Sequence, residues 1–144
     1  MPELEELLRG AVVTILATSD DSGTPHAVRK AHITYEDGKL LVPERLESGK
    51  TNSNLVHSLW FGRKAALLLL LGDGTSFAVQ ATPLRVHITG PLFERFYRQA
   101  PVAAVWELAP EGVREETAAV RAKEEAAAHP LLLHLDSIAK GATA

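Results

Sequence analysis

A chain of 144 residues fits one domain of ordinary size, and its 46% hydrophobic and 23% charged residues give a normal globular balance. The formal net charge of −3 offers no broad attraction to nucleic acid or an anionic membrane, so any anion site must be local. With no cysteine, disulfides and thiolate chemistry are excluded, and zinc could be held only by histidine and carboxylates.

The first ten residues, MPELEELLRG, lack the basic start and apolar core of a secretion signal. Residues 2–9 read as a short helix with Leu4, Leu7 and Leu8 on one side, ended by Gly10. The β-branched run 11–19 predicts a strand, the turn Asp20-Asp21-Ser22-Gly23 closes it, and residues 25–35 predict the next. Glu36-Asp37-Gly38 signals a second hairpin into a strand over 39–42. The spacing of Leu55, Val56, Leu59 and Trp60 behind a polar start predicts a helix over 48–60, stopped by Gly62. Residues 65–71 are apolar at every position, too few to span a bilayer but enough for a strand buried on both faces. A long strand over 75–88 carries Pro83, which implies an edge or a bulge. Gly90-Pro91 opens a helix through about Arg98, and 102–108 is a further strand, with 112–116 as a possible extension. The Ala/Glu-rich stretch 115–128 is a strong helix former, interrupted at Pro130 before a short apolar LLLHL.

Six strands with tight turns and intervening helices predict a mainly β, antiparallel barrel with flanking helices. If one face of strand 65–71 fills the barrel, the other needs a cover, supplied by a helix or by a second subunit.

The chemistry concentrates at Ser48-Gly49-Lys50-Thr51-Asn52-Ser53-Asn54, where free N–H groups of a helix start, the helix dipole and Lys50 together make a compact phosphate site. The same residues also read as a capped helix with a solvated lysine. Alternation along 25–35 puts Arg29 in a row with Ala27, Ala31, Ile33 and Tyr35, and a guanidinium on an apolar face needs an anion or an escape to water. One phosphate would satisfy Arg29 and Lys50 together. His26 and His32 fall on the polar face with Lys30, and the six histidines form no metal-ligand spacing, so no metal is expected. No Gly-x-Ser-x-Gly elbow is present to suggest a hydrolase. Phe93, Phe96 and Tyr97 read as packing of a helix on the barrel.

Taken in order, these segments resemble the FMN-binding split barrels related to pyridoxamine 5′-phosphate oxidase. Val13-Thr14-Ile15-Leu16-Ala17-Thr18 with Asp21-Ser22-Gly23-Thr24-Pro25 is similar to the family's first hairpin, and Asp37-Gly38-Lys39-Leu40-Leu41-Val42 to its next. Ser48-x-Lys50 followed by Asn54-Leu55 resembles its phosphate-contacting helix start. Phe77-Ala78-Val79-Gln80-Ala81 and Gly90-Pro91 through Tyr97 resemble the strand and helix that come later, with Ala81 where the family usually has glycine. The likeness covers about residues 10–110, within a single FMN-binding domain that takes in the whole chain and adds a C-terminal helical segment over about 115–140.

The resemblance implies a six-stranded split barrel, a homodimer, and FMN at the dimer interface serving a cytoplasmic oxidoreductase or electron carrier. Carried over by position, Arg29, Ser48 and Lys50 would contact phosphate, Val42 and Pro43 would lie along the flavin, and Ser76 would be near its ring. Nothing resembles the Arg and Trp substrate contacts of the true oxidases, so pyridoxamine phosphate is not the expected substrate. Glu44 and Glu47 bring two carboxylates close to the phosphate, which Arg45 or Lys50 must offset. The alternative is a binding module of this fold holding haem, with one of the histidines as axial ligand, or a deazaflavin, or no cofactor.

Overall fold

The computed structural model describes residues 2–128. Its elements are α1 (Pro2–Gly10), β1 (Ala11–Ser19), β2 (Pro25–Arg29), β3 (Thr34–Glu36), β4 (Lys39–Glu44), α2 (Gly49–Phe61), β5 (Ala65–Leu71), β6 (Ser76–His87), α3 (Pro91–Gln99), β7 (Ala104–Glu115) and α4 (Ala118–Ala128). Among the described residues no helix is long and apolar enough to cross a membrane. The apolar segment after Pro130 lies outside the described residues, as does the end of the expected C-terminal helix.

Seven strands form one antiparallel sheet in the order β2-β1-β5-β6-β7-β4-β3, against the six expected. The difference arises within 25–35, predicted as one strand. The chain leaves the sheet after Arg29 and re-enters at Thr34, passing through His32 with a φ of 62°, a conformation few non-glycine residues adopt. Curvature explains the break. Residues 29 and 34 can lie at most ~18 Å apart along the chain. A flat sheet of this order would hold β2 and β3, its two edges, six strand spacings or ~29 Å apart. The sheet therefore curls until its edges approach, without closing.

The hairpins follow their turn chemistry. Asp37 (φ 52°) and Gly38 (φ 76°) form a two-residue loop between the paired Glu36 and Lys39, the signature of a type I′ turn. Pro83 sits where a strand proline is tolerated. β5 ends at Ala65 opposite Ala81, so Pro83 has only β7 beside it, and the β6–β7 register slips between Pro83 and Arg85.

The concave face is the core. Leu16, Leu40, Val42, Leu67, Leu69, Val79, Trp106 and Leu108 fill it, while Leu4 of α1 and Leu55 of α2 enter from the helices. Two interior bonds fix α2: Trp106 Nε1 donates to Asn52 Oδ1 at 2.8 Å, and Asn54 Nδ2 donates to Thr18 Oγ1 at 3.0 Å. A smaller cluster of Leu41, Phe96, Val102 and Val105 seats α3 on the convex side of β4 and β7, the packing expected of its aromatics.

Arg95 of α3 also clasps Glu36 of β3 with two hydrogen bonds, 3.0 and 2.8 Å long. The Arg95 bond holds the Glu36 carboxyl below the ordinary glutamate value of 4.5. A depressed carboxylate contributes above its unfolded pKa, and that contribution is lost as pH falls through the lower, folded value. Arg95→Met should cost no more than about 1 kcal/mol at neutral pH, because both side chains are well exposed. Urea titrations at pH 7 and pH 3 should show that small gap shrinking in acid.

Candidate functional site

Curling brings β2, the 30–33 link and the start of α2 around one open cleft of about 690 Å³, a volume suited to a cofactor-sized ligand. Arg29, Pro43, Ser48 and Lys50, four of the six residues singled out in the sequence, line it together. Val42 does not; it is wholly buried in the core beside Pro43. Ser76 lies at the far end of the sheet, opposite Leu70, and is not part of this lining.

The cleft is cationic in a net acidic chain. Arg29, Lys30, Arg45 and Lys50 line it against a single lining carboxylate, Glu47. Arg29 makes no ion pair with any described residue and is exposed. Lys50 is held loosely, its Nζ 3.5 Å from Asp20 Oδ2. The Asp20 carboxyl lies below its ordinary value chiefly because the Thr24 backbone N–H donates to it, with a smaller part from Lys50. Lys50 can therefore leave Asp20 without stranding it.

Arg29 does occupy an apolar row, though with other neighbours than alternation along 25–35 predicts. Because the strand breaks, Ile33 and Tyr35 turn to the core. Arg29 pairs with Ile15, which pairs with Leu68, which pairs with Ala78. Paired residues share a face, so this row runs across the convex side of β2, β1, β5 and β6 together with Val13, Ala17, Ala66 and Leu70. None of these apolar residues packs against either core cluster. The second apolar face of β5 thus has no cover among the described elements, and the cleft opens at its margin.

Lys30 is the residue that sequence reasoning missed. Its Nζ donates to Glu44 Oε2 at 2.5 Å and to Ser48 Oγ at 3.1 Å, and its side chain is only 8% exposed. Glu44 is fully buried, since alternation along β4 places Leu40, Val42 and Glu44 on the concave face. Burial pushes the Glu44 carboxyl up, and the Lys30 bond opposes that only in part. The two glutamates expected near the phosphate are therefore disposed of separately. Glu44 turns inward onto Lys30, and Glu47 stays at the surface 4.0 Å from Arg45. The alternation Leu40, Val42, Glu44 was the signal: a carboxylate in an interior row demands a cation.

Ser48 is not a side-chain cap. Its hydroxyl makes no bond to an N–H of α2, and no acidic residue occupies the first turn. The capped-helix reading of this segment thus loses its main support, whereas the donors of an anion site stand around the cleft. This donor set fits a phosphate group.

No protein-family model and no curated protein matches the chain. Solved structures do. A candidate pyridoxamine 5′-phosphate oxidase from Lactobacillus delbrueckii is 26% identical, with a TM-score of 0.63, over 78% of this chain and 91% of that one. An FMN-binding protein from Syntrophomonas wolfei is 18% identical, with a TM-score of 0.62, over 80% and 90%. HupZ of Group A Streptococcus is 16% identical, with a TM-score of 0.64, over 82% and 94%.

Proposed function

We propose that this chain, which fits the pyridoxamine 5′-phosphate oxidase-like split-barrel family, binds FMN as a homodimer and serves as an oxidoreductase or electron carrier. The observation that carries the reading is Arg29, an unpaired guanidinium at the mouth of a cationic cleft it shares with Ser48 and Lys50. Flavin, when bound, supplies the redox chemistry; the chain binds and orients it. Arg29, Ser48 and Lys50 hold the phosphate, and Pro43, backed by the buried Val42, lies along the ring system. Ser76 stands on the uncovered convex face, so it approaches the flavin only from a second subunit.

Protein purified without added cofactor should be yellow and should release FMN on denaturation. A Soret band would hand the site to haem, and a deazaflavin spectrum to that cofactor. A colourless protein with no affinity for added FMN would end the flavin reading.

The dimer rests on the uncovered row of Val13, Ile15, Leu68 and Leu70, a continuous apolar surface of the kind that marks an interface. Leu68→Lys places a charge at its centre and should give a folded monomer by sedimentation. An unchanged mass would place the interface elsewhere.

A further inference from the structure

His26 also lines the cleft, and no ion pair or hydrogen bond around the cleft uses it. It pairs with Thr18, and Val28 pairs with Leu16; both partners are buried, so β2 turns His26, Val28 and Lys30 to the concave side. The two polar members of that row part company. Lys30 is drawn inward onto Glu44, whereas the half-buried His26 has no polar partner among the described residues. Two anchors place it at the Lys50 end of the cleft. Asp20, whose carboxylate holds Lys50 at 3.5 Å, follows Ser19, and Ser19 pairs with Pro25 beside His26. Asn54, one helical turn after Lys50 on the same side of α2, donates to Thr18 at 3.0 Å, directly opposite His26. Arg29 joins them from the other face, because β2 is an edge strand and the cleft takes side chains from both its faces. An imidazole carries at least one N–H in either protonation state, so His26 is a donor with or without charge.

We propose that His26 is a further phosphate ligand, donating an imidazole N–H to one oxygen from the concave face of β2, while Arg29 reaches round the edge of that strand and Lys50 comes from α2. The inference rests on the phosphate reading of the cleft. Donors on two faces of a strand and on a helix approach the ligand from three directions. A terminal phosphomonoester presents three free oxygens to such a set, whereas a carboxylate presents two in one plane. His26 thus narrows the ligand class from any anion to a phosphomonoester.

FMN and riboflavin affinities of the wild type, His26→Leu and His26→Gln test the assignment. His26→Leu should weaken FMN about tenfold, the loss of one hydrogen bond to a charged group, and leave riboflavin within about twofold of wild type. His26→Gln keeps an N–H donor and should bring FMN back to within about threefold of wild type, which a purely structural role for the ring would not do. Where His26→Leu does not fold, His26→Ala takes its place in the comparison. Unchanged FMN affinity in His26→Leu overturns the proposal, with the histidine left facing solvent. Equal losses for FMN and riboflavin overturn it too, and put the ring against the part of the ligand that the two share. In both cases the phosphate site on Arg29 and Lys50 still stands. Equal affinity of the wild type for FMN and riboflavin removes that site, and the role of His26 with it.

Discussion

Replacing Lys30 alone with methionine is expected to destabilise the fold by about 3–5 kcal/mol at pH 8, among the larger effects of any single substitution, because it strands a buried carboxylate. Lys30 and Glu44 lie together largely withdrawn from water, at 8% and 0% side-chain exposure. Exchanging both for apolar residues, Lys30→Met with Glu44→Leu, should bring stability back to wild type or above, since buried pairs often recover little beyond their desolvation. The pH dependence of the single variant carries a definite sign. Burial already raises the Glu44 carboxyl, and without Lys30 only the smaller effect of the Ser48 hydroxyl opposes that rise. A group whose folded pKa lies above its unfolded value stabilises below the unfolded pKa, and that stability is lost as pH rises through the folded one. The deficit of Lys30→Met should thus be widest at pH 8 and should narrow towards pH 5, whereas the double variant should track wild type throughout. Urea midpoints at the two pH values give the answer. A deficit independent of pH would mean that Glu44 is not the group left uncompensated.

The prominence of this pair shows where sequence patterning reaches and where it stops. Period-two alternation and turn residues located the hairpins, the doubly apolar β5 and the bulge at Pro83, because each is a local consequence of steric or burial rules. The break after Arg29 was not legible. Residues 30–33 contain no glycine or proline, and the chain turns there because two sheet edges must meet, a demand set by strand order and not by local propensity. With the break hidden, Lys30 was placed on the polar face of the strand with His26 and His32, and Arg29 was given Ile33 and Tyr35 as neighbours, which turn to the core. Ser48 and Lys50 were legible because a polar helix start advertises its chemistry in consecutive residues. Glu44 was seen as a charge close to the phosphate, whereas its parity with Leu40 and Val42 already assigned it to the interior.

Arg29 and Lys50 should not contribute equally to FMN affinity, although both face the same cleft. Arg29 has no competing carboxylate among the described residues, and a guanidinium can meet a phosphate with two parallel hydrogen bonds. Arg29→Met keeps the apolar stem against the Ile15 and Leu68 row and removes only the charged head. It should therefore cost on the order of 3 kcal/mol of FMN binding, roughly a hundredfold in Kd, the upper end for hydrogen bonds to charged groups. Lys50 must first give up Asp20, 3.5 Å away, so Lys50→Met should cost nearer 1.5 kcal/mol, roughly tenfold. Asp20→Asn releases Lys50 from that competition and should tighten FMN slightly. Riboflavin has no phosphate, so its affinity should stay within about twofold of wild type in all three variants, as expected where the altered group touches only the missing part of the ligand. Flavin fluorescence quenching with the two ligands measures the set. Arg29→Met weakening both ligands alike would place the guanidinium against the ring system or the subunit contact, and the anion site would then have to be built from Lys50, Ser48 and the start of α2 alone.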